Sequence, residues 1–529
     1  MNGVSIFDLR EGQTARNENC DVCVIGAGAA GIYLAVQLAS KGLDVILIEA
    51  GGAICGDASQ VGFDARFSAD AYPGATKGRA FGLGGSTSRW GGLLVPHTRH
   101  DLREAIDPDV DPWSSIVKVV SAKSDSVLNR LGYLKPGEFS EFAQTHLGDI
   151  YNALSESGLD VAASLFLPVR NKNLAFLLHE QQRERFRIRV FVNAVAKSWA
   201  MKTGCDSGAT LQRLSAIGSN GTCLDVVANR FVIAAGAIES ARMLLELDSG
   251  ASSGVLRSTA RVGHYLTDHL SVSVADVAMP SCDDVARIFG PRFSSGWMRS
   301  FRFIETDPPA SSPRAFAHFI FENENPGFVL AKDVIGAMQG RRWPKVTGSQ
   351  VVSGISGVFA LAHARYFDST LYIPRGTKAH LQLDIEQTPR LENRVSLCSD
   401  RDRYGRQVAE IHWHISDIDL SNIQALAGRL LDKWPGTKKG LPELIPKTTD
   451  SGNNKPHDVY HPVGTCRMGR DPEAVVDENL KVWGISNLWV VSTGVLPSAG
   501  TANPTFTMLC LAEALVEHLG KPSFAIQHG

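Results

Sequence analysis

The chain has 529 residues, 44% of them apolar and 20% charged, with a formal net charge of −2. That is enough chain for a large core and more than one domain, in the composition of a globular protein. It has no dense Lys/Arg run to hold a nucleic acid, and no apolar run of the ~18 residues that a membrane span needs. Nine cysteines without a regular framework make no disulfide scaffold. The start, MNGVSIFDLREGQTARNEN, lacks the apolar core of a signal peptide, so a cytoplasmic protein is expected.

Residues 20–52 read CDVCVIGAGAAGIYLAVQLASKGLDVILIEAGG. The apolar run Val22 to Ile25 predicts a strand, and Gly26-x-Gly28-x-x-Gly31 a tight turn. Helical spacing follows from Ala29 to Ala39, closed by Lys41 and Gly42. A second strand, Val45 to Ile48, ends at Glu49 and Ala50. Gly26 allows the turn, Gly28 bares backbone to a pyrophosphate, and Gly31 lets helix and strand pack closely. The first helical turn, with Ala29 and Ala30, offers free N–H groups and a partial positive charge. Glu49 stands where a carboxylate accepts ribose hydroxyls, which disfavours the 2′-phosphate of NADP. This unit predicts a dinucleotide site for either FAD or NAD. Cys20 and Cys23 read as strand residues, not as a metal or redox pair.

The next block, GRAFGLGGSTSRWGGLLVP (78–96), is too rich in Gly and Ser for a helix. It reads as a loop laying backbone against a flat or charged group, with Gly85, Ser86, Arg89, Trp90, Gly91 and Gly92 as candidate contacts. Residues 104–190 read as a mostly helical connector. In RFVIAAGAIESARMLL (230–245) a strand, Phe231 to Ala234, meets Ala235 and Gly236 and then a helix. From 276 to 454 come strand-like runs, RAFAHFIFEN, HLQLDIEQ and QVAEIHWHISD, and a helical stretch from Ile418 to Leu431. Phe319, Phe321, His412 and Trp413 are candidate pocket residues there. HPVGTCRMG (461–469) fits no helix or strand period. Finally, strand Leu488 to Val491 leads through Thr493 and Gly494 to Asn503 and Pro504, an N-cap and first-turn pair that opens a helix to about Leu519.

These blocks, with VGHYLTDHL and EQTPRLENRVSL between them, resemble the glucose-methanol-choline (GMC) oxidoreductases, and they come in that family's order. The Asn-Pro-Thr ending is most similar to the branch of pyranose oxidases and bacterial sugar or polyol dehydrogenases. The resemblance implies an α/β FAD-binding Rossmann-like domain with a parallel sheet, and an α+β substrate domain with a mainly antiparallel sheet. It divides the chain into 1–275 (FAD domain, first part), 276–454 (substrate domain) and 455–529 (the returning C-terminal part). It adds Val195, Thr493, Gly494, Pro504 and Thr505 to the cofactor contacts, with the positive helix end at Thr505 facing the flavin. It implies that a CH–OH group of a sugar, polyol or glycosylated small molecule is oxidised. His461 would take the hydroxyl proton, hydride would pass to flavin N(5), and Asn503 would face His461 across the substrate oxygen.

Some relatives attach FAD to a His at the place of Arg89. Arginine cannot form that bond, so dissociable FAD is expected. His457 and Cys466 lie close to His461 but complete no metal-ligand set, and no metal is expected. The electron acceptor is open between oxygen, a quinone and a protein, and the oligomeric state is not legible. A lyase of the hydroxynitrile type would use the same His without reducing FAD. A non-catalytic flavin-binding module and a plain NAD enzyme fit the residues less well.

Overall fold

A computed structural model describes residues 3–11, 15–103, 111–133, 138–180, 187–204, 208–250, 254–341, 343–344, 346–449 and 454–520. The parts of the expected connector at 104–110, 134–137 and 181–186, and residues 521–529 of the C-terminal segment, lie outside that set.

In chain order the structure has β1 (Gly3–Asp8), β2 (Arg16–Ile25), α1 (Ala29–Ser40), β3 (Val45–Ile48) and β4 (Leu159–Phe166). Then come β5 (Arg187–Val192), β6 (Val195–Gly204), β7 (Gly208–Ile217), β8 (Cys223–Ile233) and α2 (Gly236–Ser249). They are followed by β9 (His269–Val277), β10 (Trp297–Glu305), β11 (Ala315–Phe321), α3 (Pro326–Gln339), α4 (Gly348–His363) and β12 (Ala379–Glu386). The chain returns through β13 (Leu488–Val490) and ends in α5 (Pro504–Leu519).

The first sheet runs β1-β5-β3-β2-β8-β7-β6, with β13 added on β8. Strands β1, β5, β3, β2, β8 and β13 pair in parallel, while β7 and β6 fold back antiparallel. Val22–Ile25 and Val45–Ile48 are buried on both faces, the pattern of strands covered by helices on either side. This is the expected parallel α/β sheet.

The second sheet is antiparallel throughout its described pairs: Leu444–Pro446, then β9-β12-β11-β10-β4, then Leu93–Leu94. The segment expected to be mostly helical connector thus supplies β4 to this sheet, and the sheet's next strand, β9, begins at His269, ahead of residue 276. Strand alternation gives the sheet two unlike faces. Leu381, Leu383 and Ile385 of β12 are buried on one face. Gln382, Asp384 and Glu386 lie on the other, beside Phe316 and His318 of β11 and His269 and Ser271 of β9.

The same alternation corrects the candidate pocket residues. Phe319 joins a cluster with Phe289, Phe303 and Trp434, at ring separations of 5.3, 5.6 and 5.8 Å. Trp413 stacks on Tyr72 at 4.9 Å and donates to Gln387. Neither these residues nor Phe321 and His412 reach the main cavity.

Candidate active site

A cavity of about 510 Å³ lies along the C-terminal ends of β2, β3 and β8. Gly26, Gly28, Ala29, Ala30, Glu49 and Ala50 line one side of it. Gly26 has φ +105°, and a Cβ there would lie 2.5 Å from the Ala234 carbonyl oxygen. A Cβ on Gly31 would lie 1.8 Å from the Gly26 oxygen, so Gly31 serves helix–turn packing and stays off the cavity. Gly28 differs: no protein atom lies within 4 Å of where its Cβ would be. Its backbone is bare to whatever fills the cavity, beside the free N–H groups of the first turn of α1. Glu49 is buried and accepts the N–H of Ala27 at 2.7 Å and of Gly51 at 2.8 Å. Burial pushes its carboxyl up, and those N–H groups oppose the shift.

The loop of the second block forms another wall, with Gly85, Ser86, Arg89, Trp90 and Gly91 lining it. Four contacts with distant segments fix it. Gln339, at the end of α3, donates to the carbonyls of Thr87 (2.9 Å) and Trp90 (2.8 Å). The Trp90 indole donates to Lys172, and Arg89 pairs with Asp57. Gln339 carries no motif, so nothing in the sequence marked it. Ala235, Gly236, Thr493, Pro504 and Thr505 close the cavity from β8, β13 and the start of α5. Gly92, Val195 and Gly494 lie off it. Val195 is buried with Phe63 and Tyr404, and its neighbours Ala194 and Ala196 face the cavity instead, as strand alternation requires. A Cβ on Gly494 would lie 2.6 Å from Thr465 Oγ1, which makes that glycine a packing position.

His461 lines the far end of the cavity. Its backbone N–H points at both oxygens of Asp268, each at 2.9 Å, and Tyr72 donates to the same carboxylate at 2.5 Å. Burial pushes Asp268 up to about 8, and the bond from Tyr72 opposes that shift. The ring of His461 has a partner at each nitrogen. Nε2 is 3.1 Å from Asn503 Nδ2, and Nδ1 is 3.1 Å from Nδ1 of His269. Asn503 precedes α5, yet its side chain makes no cap bond there; its Oδ1 accepts from Arg302 at 3.0 Å. Arg302 is 2% exposed, lies 3.9 Å from the centre of the Phe316 ring, and is pushed down to about 10 by burial. His461 is held well below 6.5 by burial first, then by His269, Arg302 and His97.

The loop before α5 is clamped from several strands. Asp101 accepts the N–H and hydroxyl of Thr501 at 2.7 and 2.8 Å. Glu386 accepts from Ser498 and Gly500, Arg302 donates to the Thr501 carbonyl, and His97 bonds Thr507 and Ala499. Of this set the sequence marked His461 and Asn503. His269 sat unremarked inside VGHYLTDHL, and Arg302 had no local signal.

Residues 389–512 match the GMC oxidoreductase family model, and residues 24–87 match an NAD(P)-binding Rossmann-like domain. The C-terminal part of the chain is thus similar to the GMC oxidoreductases. Paromamine 6'-oxidase of Streptomyces fradiae is 26% identical to this chain, over 94% of the chain and 91% of that protein. A 2-methyl-1,2-propanediol dehydrogenase of Mycolicibacterium austroafricanum is 26% identical over 56% of the chain, which spans only 49% of that relative. The solved structure of pyridoxine 4-oxidase from Mesorbium loti covers 94% of the chain with a TM-score of 0.57 at 18% identity, a likeness of fold.

FAD is the cofactor of GMC oxidoreductases, and the residues here fit it. Bare backbone at Gly28, the open N-terminal turns of α1 and α5, and Glu49 at the end of β3 suit a dinucleotide. Among the described residues no helix is long and apolar enough to cross a membrane.

Proposed function

We propose that this protein oxidises a CH–OH group of a sugar, polyol or glycosylated small molecule to a carbonyl, with His461 as the base and Asn503 as its partner at the substrate oxygen. The observation that carries the reading is the 3.1 Å contact between Asn503 Nδ2, just off the cavity wall, and Nε2 of His461, which lines it. Bound FAD would supply the hydride acceptor. Gly26, Gly28, Ala29, Ala30 and Glu49 would hold its dinucleotide part, the loop 85–91 would cover it, and the first turn of α5 would favour negative charge at the flavin end.

A substrate hydroxyl placed between Asn503 and His461 receives a hydrogen bond from the amide and gives its proton to imidazole Nε2. A neutral imidazole is needed for that, and the burial and cations around His461 keep it neutral at ordinary pH. The names of the oxidase and the diol dehydrogenase above support a hydroxyl-bearing substrate. Arg89 replaces the attachment His of some relatives and pairs with Asp57, which supports FAD held without a covalent bond.

The test is the visible spectrum of the purified protein, taken before and after acid denaturation and after anaerobic addition of sugars, polyols, glycosides and simple alcohols. Flavin released by acid and bleached by one substrate class is the expected result. Flavin that stays yellow with every alcohol but turns over a cyanohydrin would replace this reading with a lyase.

A further inference from the structure

The hydrogen bonds around His461 have only one consistent direction. Arg302 can only donate, so Asn503 places its oxygen toward Arg302 and its NH₂ toward His461. His461 Nε2 therefore accepts, and the proton of the neutral ring sits on Nδ1. The other end agrees independently. The Gly500 carbonyl can only accept, and it lies 2.9 Å from His269 Nε2. That nitrogen carries the His269 proton, and His269 Nδ1 accepts from His461 Nδ1 across 3.1 Å. His269 is buried and His461 half-buried, and in both desolvation favours the neutral ring.

The surroundings of the two rings differ in sign. His461 is influenced by His269, Arg302 and His97, all of which disfavour a positive charge. His269, on β9, faces Asp384 and Glu386 across the pairing with β12, with His97 as the opposing group. A proton arriving at His461 is therefore better placed one ring further on.

We infer that His269 is the second member of a two-imidazole relay that receives the proton His461 displaces. This rests on His461 being the base. The substrate O–H bond breaks and an N–H bond forms at His461 Nε2. The N–H bond at His461 Nδ1 breaks and one forms at His269 Nδ1. His461 ends neutral with its proton on the other nitrogen, and the positive charge resides on His269. Bound FAD would supply the acceptor for the hydrogen on carbon and its electron pair. His269 touches neither substrate nor cofactor and acts through His461.

The experiment compares His269→Asn, His269→Phe and His461→Gln in the FAD-loaded enzyme, by anaerobic stopped-flow reduction and by nitrogen spectra of isotope-labelled histidine. Asparagine keeps an acceptor for His461 Nδ1 but cannot take the proton; phenylalanine removes both. The relay requires that His269→Asn bind FAD and substrate as the native enzyme does while reduction slows roughly 10- to 100-fold, close to His269→Phe. Native reduction in His269→Asn with loss only in His269→Phe would reduce His269 to an orienting residue and overturn the relay. The spectra of the substrate-free enzyme should show His461 protonated on Nδ1 and His269 on Nε2; the reverse tautomer at His461 also overturns it. Undiminished reduction in His461→Gln would instead sink the base assignment, and the relay with it. Loss there beside native reduction in His269→Asn would remove the relay alone.

Discussion

In the β2–α1–β3 unit the groups facing the cavity all come from residues 25–50, whereas the groups around His461 come from β9, β10, the loop before α5 and the 461–469 segment. The first region uses backbone: bare N–H groups, glycines forced by close approach, one carboxylate. Each of those follows from local geometry. The second region uses side chains, and each acquires its role from a partner in another segment. His461 contacts His269 across 192 residues of sequence, and Arg302 contacts Asn503 across 201. A site for a cofactor's phosphates is built from a local turn, while a site for proton transfer needs encounters that only a closed fold supplies.

Substitutions can break this contrast. The largest effect is expected at the encounter site. His461→Gln should leave FAD content unchanged and lower the anaerobic rate of flavin reduction by roughly 10²- to 10⁴-fold. Asn503→Ala should lower it by about 10²-fold, because it removes both the donor to the substrate oxygen and the acceptor that orients Arg302. Native rates in either variant would mean that the contact at 3.1 Å is packing, not chemistry.

The local site separates differently. Gly31→Ala drives a Cβ to 1.8 Å from the Gly26 oxygen, so the fold should lose about 3 kcal/mol or more, read as a fall in Tm of the cofactor-free protein. Gly28→Ala meets no protein atom. Its cofactor-free Tm should stay near native while FAD binding weakens, measured by titration of flavin fluorescence. Equal Tm losses in both variants would mean that Gly28, too, is a packing position.

Asp268, which holds the His461 backbone, ties the encounter site to pH. Its ordinary value of 3.8 rises to about 8 in the folded protein. Below 3.8 both folded and unfolded chains hold this proton. As pH climbs toward 8 the unfolded chain releases it and the folded chain retains it, so this group's share of stability is lost across that window. The share is on the order of a few kcal/mol, and Asp268→Asn should flatten that part of the Tm–pH curve. The smallest effect is kinetic. As the proposed base, His461 would have to be neutral, and its lowered pKa would extend activity to acid, so the acid limb of kcat/KM should lie well below 6.5. Arg302→Met removes the buried cation beside it and should move that limb upward.

The strands at 22–25 and 45–48, the helix after Gly28 and the helix opened by Pro504 were legible because apolar period and end signals act within a few residues. The antiparallel sheet was legible only in part. Strand β4 was hidden within a segment of helical spacing, and the inward face of β11 could not be chosen until its neighbours covered one side. Phe319 went to the core for that reason, and Val195 went to its satellite cluster.

By itself the sequence determined the dinucleotide crossover, the two-sheet plan, and the pair His461 and Asn503 as the residues to watch. Tertiary structure decided what those residues touch. It turned the Asn503 side chain from the helix cap to Arg302 and His461, set His269 behind His461, and seated Gln339 on the cofactor loop. Backbone conformation answers to near neighbours along the chain. The direction of a buried hydrogen bond answers to whichever donor or acceptor packing brings within 3 Å or so, and no local pattern encodes that partner.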